Sequence, residues 1–197
     1  HGYDRIPLEL PRRQTSGAPT PLSDFSGGLR TLMIGYGYQE VMSLTVAPPT
    51  EPWESPPRHT ILNPVTAENS RVRSSLLPAL FSLLGLNKHR DLPQRVFEVE
   101  DAVRGMSNVR LLAGAAIHAR ASFTEMKSLV QGLLRDVGKA YEIESAEDPN
   151  FIDGRCAAVR VGDARVGLFG EVHPRVITGY ELGHPVAAFE LEVAALR

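Results

Sequence analysis

Six basic side chains crowd one stretch of this chain: Arg71, Arg73, Lys88, His89, Arg90 and Arg95. A guanidinium pairs with phosphate or carboxylate oxygens through two parallel hydrogen bonds. Gathered on one edge of a domain, these residues would hold RNA or an acidic partner; a solvated charged surface is the plainer alternative. Other chemistry is harder to assemble. Gly35-Tyr36-Gly37 lacks the third glycine of a dinucleotide-binding turn and precedes a strand, so it reads as a helix stop. His1, His59, His89, His118, His173 and His184 fall at no zinc-ligand spacing. Ser74 and Ser75 lack the flanking glycines of a strained nucleophile turn, which leaves them capping or turn roles.

The chain's 197 residues carry a formal charge of -2 from 21 basic and 23 acidic groups, and 43% of them are apolar. That length encloses a substantial core in one large or two small domains. A pI near 6.3 argues against a free-standing nucleic-acid binder with a strongly basic face. The single cysteine, Cys156, sits in an apolar strand as a small core residue. One cysteine excludes an intrachain disulfide and a multi-cysteine zinc site, so a reducing cytoplasm is expected. No run approaches the roughly 18 apolar residues of a membrane span, and no membrane partner is expected. The sequence opens at His1 with neither a methionine nor a signal-like segment, and it reads as a piece of a longer protein.

The elements that must position these residues follow from periodicity and punctuation. Nine of the 15 prolines precede residue 59, and residues 1–20 read as an extended arm leaving a preceding domain. Residues 21–197 form the core. Thr20 caps a helix starting at Pro21, with Leu22, Phe25, Leu29, Leu32 and Met33 on one stripe. Gly27 and Gly28 weaken that helix by up to ~2 kcal/mol, and they either admit a neighbouring helix or are a plain local weakness. Tyr38 to Val46 is predicted as a strand, Ala47 to Arg58 as an exposed loop, and His59 to Leu62 as a short strand. A helix beginning near Ser74 or Ser75 carries Leu77, Leu80, Phe81 and Leu84. Strands follow at Gln94 to Val103 and Val109 to His118, with a tight turn between them. Ser122 and Glu125 make a capping box for a helix running to Gly138. Further strands are expected at Tyr141 to Ser145, Arg155 to Val161, Arg165 to Phe169 and Val186 to Glu192, with a short helix from His173 to Tyr180. Gly162-Asp163 supplies a hairpin turn. Strands in runs with interspersed helices predict an α+β domain built on a mostly antiparallel sheet.

Several segments together resemble a known family. Asn63-Pro64-Val65-Thr66-Ala67-Glu68-Asn69-Ser70-Arg71-Val72-Arg73-Ser74-Ser75-Leu76-Leu77-Pro78 is similar to the segment before motif 2 in the β subunit of phenylalanyl-tRNA synthetase. Arg95-Val96-Phe97-Glu98-Val99 resembles the strand that follows it. Gly170-Glu171-Val172-His173-Pro174 and Pro185-Val186-Ala187-Ala188-Phe189-Glu190-Leu191 are similar to the C-terminal signature. Phe123-Thr124-Glu125-Met126-Lys127 fits the long helix, and His1-Gly2-Tyr3-Asp4-Arg5-Ile6-Pro7 the exit from a preceding small domain. The order is right over nearly the whole chain, and ending near Arg197 looks like the archaeal or eukaryotic form.

The resemblance implies a class II aminoacyl-tRNA synthetase-like fold, a mostly antiparallel sheet flanked by helices. It also implies a catalytically silent core that assembles with a catalytic α subunit in an (αβ)₂ enzyme charging tRNA with phenylalanine. ATP and magnesium would be bound on the α subunit, with no cofactor, metal or catalytic residue in this domain. Arg71, Arg73, Lys88, Arg90 and Arg95 become the residues expected to contact RNA or the other subunit. Active class II sites carry Phe-Arg-x-Glu in motif 2, whose arginine holds the ATP α-phosphate. The matching run here is Phe97-Glu98-Val99-Glu100, which makes Glu98 a degenerate phosphate-clamp position. A carboxylate about 4 Å from a phosphate charge is repelled by ~4 kcal/mol at an effective dielectric near 20. The glycine-rich strand and arginine of motif 3 are also missing from Val186 to Arg197. Two other functions stand beside this one: a stand-alone synthetase paralogue that activates a carboxylate with ATP, and a tRNA-binding module.

Overall fold

A computed structural model describes residues 2–10 and 17–197. The expected arm of residues 1–20 is exposed where it is described, with one short turn at Tyr3–Arg5; residues 1 and 11–16 lie outside the described residues. Helix α1, Pro21–Gly35, begins as its sequence dictates. The Thr20 hydroxyl oxygen accepts from the Ser23 N–H at 3.2 Å, and Pro21 sits where no backbone donor is needed. Leu29 and Met33 are buried. Gly27 and Gly28 face open space, so among the described residues no helix packs against them.

Gly37, at φ +81°, turns the chain back so that Tyr38 enters the core. The strand predicted for Tyr38 to Val46 is instead two fragments. Strand β1, Gln39–Glu40, pairs parallel to β4, Gln94–Arg104. Strand β2, Val46–Ala47, pairs antiparallel to β3, Arg71–Val72. Between them Ser43 leaves the ladder because its N–H and hydroxyl are donated to a side chain instead. The strand expected at His59 to Leu62 reduces to one bridge, Thr60 to Arg71. The loop expected to be exposed at Ala47 to Arg58 turns inward at Trp53. Its ring lies 5.3 Å from Phe81 and 5.5 Å from Phe151. Each such pair adds about 0.5–1.5 kcal/mol beyond the area it buries, enough to anchor a proline-rich loop.

Helix α2, Leu77–Leu86, starts two or three residues later than expected. Strands β4 and β5, Ser107–Ile117, form a long hairpin closed by Gly105 at φ +58°. Helix α3, Phe123–Asp136, opens with half of its predicted capping box. The Ser122 hydroxyl oxygen accepts from the Glu125 N–H at 3.3 Å, while the Glu125 carboxylate turns outward to Arg95 and His118. Strands β6, Glu142–Ser145, β7, Phe151–Val161, and β8, Ala164–Val172, follow, with Gly162 turning the β7–β8 hairpin as predicted. Helix α4, Pro174–Gly179, leads to β9, Val186–Glu192, and α5, Val193–Leu196, closes the chain.

Seven strands among the described residues form one sheet in the order β1-β4-β5-β9-β8-β7-β6. Its ladders are antiparallel apart from β1 with β4. The last strand is therefore central, held between β5 and β8. Period-two alternation divides the side chains between two cores. Phe97, Val99, Leu112, Phe169 and Phe189 meet α1 and α3 on one face. Val96, Ala102, Leu111, Ala115 and Ala188 meet α2, Trp53 and Val176 of α4 on the other. Glu98, in register with this second set, is carried to the α2 face.

Candidate functional site

Glu98 is 0% exposed. One carboxylate oxygen accepts from Arg73 Nη1 at 2.8 Å and from the Ser43 N–H at 3.3 Å, and the other from the Ser43 hydroxyl at 2.6 Å. The same arginine donates Nε to the Asp101 carbonyl at 2.9 Å and Nη1 to Ser43 Oγ at 2.8 Å. This geometry corrects the electrostatic expectation drawn from the sequence. A phosphate outside the sheet would meet a buried, neutralised pair and not a bare acid, so the ~4 kcal/mol repulsion has no charge to act through. Arg73, counted with the surface bases, is the counter-ion. Nothing local in the sequence joins two residues that a loop, a helix and half a strand separate.

The remaining basic residues divide between two regions. Arg71 is half-buried in β3. Lys88, His89 and Arg90 follow the end of α2 and are exposed, and Lys88 is paired with Glu181 at 2.9 Å. That pairing holds the Glu181 carboxyl below its ordinary range. Arg90 and Arg95 line one groove, with Gln39, Asn87 and Gln94 on its other walls. Arg95 is tied to Glu125 at 3.1 Å, and Glu125 also takes His118 Nε2 at 2.8 Å.

A second cleft, of about 210 Å³, opens on the α2 face beside Trp53. At its floor β9 presents Glu190. One carboxylate oxygen accepts from the Ser75 hydroxyl at 2.8 Å and the Leu76 N–H at 2.7 Å; the other accepts from Arg104 Nη2 at 2.7 Å. Arg165, Asp148 and Glu192 line the walls, as does Glu54, which Arg175 holds at 2.8 Å. This donor set does not fit a nucleoside triphosphate, because Glu190 already engages Arg104 and three further carboxylates line the cleft. Among the described residues no three His, Cys, Asp or Glu side chains are arranged to hold a metal ion. Sequence reasoning missed both Arg104 and Glu190, whose partnership across 86 residues leaves no local signal.

An apolar groove of about 430 Å³ lies between α2 and the β1–β2 connection. Met42, Leu44 and Leu86 stand 83%, 68% and 79% exposed around it. Deeper in, burial pushes the Glu51 carboxyl above its ordinary range, against the opposing pull of Ser55 and Arg58. The Arg73–Glu98–Ser43 cluster pins the connection that carries Met42 and Leu44.

Residues 6–193 match the family described as the phenylalanyl tRNA synthetase beta chain CLM domain. The chain belongs to this family. It is 39% identical over 205 residues to the phenylalanine–tRNA ligase beta subunit of Archaeoglobus fulgidus, a match covering 99% of the chain and 37% of the relative. The corresponding subunits of Methanococcoides burtonii and Methanosarcina barkeri are 37% and 36% identical, each over 98% of the chain and 37% of the relative. The chain thus spans little more than a third of the length of those subunits. Its architecture is that of class II synthetases. A pyrrolysyl tRNA synthetase of Desulfitobacterium hafniense superposes with a TM-score of 0.72 over 89% of this chain and 67% of its own, at 15% identity. No described helix of the β-chain domain is long and apolar enough to cross a membrane.

Proposed function

We propose that this domain is the non-catalytic synthetase-like core of a phenylalanine–tRNA ligase β subunit. It assembles with a catalytic α subunit in the cytoplasm and supports tRNA aminoacylation there, while ATP and magnesium are handled by the α subunit. The observation that carries this reading is the state of the cleft: its arginine at the end of β4 is bound by Glu190 and so is not offered to a nucleotide tail. Exposed apolar side chains at Met42, Leu44 and Leu86, with the open Gly27-Gly28 face of α1, supply the surface on which the α subunit docks. Arg71, Lys88, Arg90 and Arg95 are the residues available for RNA or subunit contact.

Gel filtration of the chain mixed with its cognate α subunit tests the assembly. Co-elution is expected, and separate elution of two folded partners would refute the reading. ATP–pyrophosphate exchange by the isolated chain should be absent; robust exchange would make it a stand-alone carboxylate-activating synthetase. Micromolar tRNA binding with a steep salt slope would make it an RNA-binding module.

A further inference from the structure

We propose that Glu190 is a built-in occupant of an oxyanion cradle, and that removing its carboxylate lets the cradle bind a small free oxyanion such as phosphate. The cradle has three donors from two places in the fold: the Ser75 hydroxyl and the adjacent Leu76 N–H at the start of α2, and the Arg104 guanidinium at the end of β4. A hydroxyl, a backbone amide at a helix start and a guanidinium are the groups that hold phosphate elsewhere. Here they converge on a carboxylate delivered by a third segment, β9.

The donors stay in place without that carboxylate. Arg104 Nε donates to the Ser74 carbonyl at 3.2 Å, and Ser75 Oγ accepts from the Leu77 N–H at 3.3 Å. Loss of Glu190 therefore leaves a positioned guanidinium and an amide beside a cleft of about 210 Å³ that opens to solvent. Charge sets the ligand class. Glu54 is matched by Arg175, and the cleft lining also carries Arg165, Asp148 and Glu192. Without Glu190 the surroundings are close to neutral, which suits a single small oxyanion and disfavours a polyphosphate. This inference stands on the geometry alone and is independent of assembly with an α subunit.

The test uses the full 197-residue chain and inorganic phosphate, at an ionic strength held constant with chloride. Thermal midpoints are followed by circular dichroism. In E190A the midpoint should rise with phosphate, steeply at first and then with the logarithm of its concentration, by linkage. The fitted affinity should exceed that of the unsubstituted chain at least about ten-fold, which corresponds to about 1.4 kcal/mol. Acetate, which returns a carboxylate, should raise the E190A midpoint as well. Adding Arg104→Ala to E190A should abolish both responses. A folded E190A that responds to phosphate no more than the unsubstituted chain overturns the proposal. Should E190A fail to fold, E190Q keeps an acceptor for Ser75 and Leu76 while freeing Arg104, and a folded E190Q without a phosphate response overturns it equally. If neither variant folds in chloride, recovery of the native spectrum in phosphate or acetate supports the cradle, and no recovery refutes it.

Discussion

Glu98 and Arg73 hold each other in a place where neither would be tolerated alone. With Glu98→Ala, Arg73 stays buried beside two acceptors but without a counter-charge, a condition that costs about 3–5 kcal/mol. The expected result is a fall of that size in urea-unfolding stability. Replacing both members with apolar residues of similar volume should restore much of it, since the desolvation of both charges goes too. Glu51 makes the opposite kind of statement. Its folded-state pKa lies above the ordinary 4.5 because burial disfavours the charged form. The stability it contributes is full below its unfolded pKa and is lost as pH rises through the folded one. Glu51→Gln removes that loss. The difference in unfolding midpoint between E51Q and the unsubstituted chain should therefore move in favour of E51Q as pH is raised from 4.5 towards neutrality; a constant difference would show that Glu51 titrates normally.

Among the elements, a glycine of the β8–β9 pair and a glycine of α1 differ sharply in the room they leave. A Cβ on Gly167 would lie 2.0 Å from the Glu190 carbonyl oxygen and 2.9 Å from Leu191 Cα, both backbone atoms. Gly167→Ala must push the two strands apart, at roughly 1–3 kcal/mol or more for overpacking. Gly27→Ala meets nothing within 4 Å and should stabilise the isolated chain by about 0.5–1 kcal/mol. Thermal melts of the two variants separate these effects by sign. The same contrast explains what the sequence could disclose. Thr20-Pro21, Ser122, Gly138 and Gly162-Asp163 act on backbone groups within a few residues, so α1, α3 and the β7–β8 hairpin are readable from local pattern. The Tyr38 to Val46 strand failed because Ser43 is claimed by Glu98, 55 positions away, and Trp53 was misplaced because its partners are Phe81 and Phe151. The candidate site was legible only as residue types. Glu98 and Arg73 were both singled out, yet their union, and that of Glu190 with Arg104, depends on sheet register and loop closure.

At the scale of the whole molecule, a net charge of -2 leaves no long-range field that would draw in a polyanion. Large apolar side chains left in solvent are the stronger feature, and Met42, Leu44 and Leu86 share one groove. Isolated exposed apolar residues are common, but three of them lining one groove suit a protein partner. Met42 and Leu86 are largely exposed, so Met42→Glu and Leu86→Glu together should alter stability by no more than about 1 kcal/mol, at most about 0.5 kcal/mol each. In the assembly they would place two charges in a desolvated contact, and co-elution with the α subunit should be lost at concentrations where the unsubstituted chain still binds. Glu98→Ala provides the companion measurement. Because its carboxylate pins Ser43 and hence the segment bearing Met42 and Leu44, a folded E98A should weaken assembly although Glu98 itself is sealed from any partner. If M42E/L86E assembles normally while E98A does not, the α subunit docks elsewhere and the buried pair acts on another surface. If both assemble normally, the groove has no part in subunit contact.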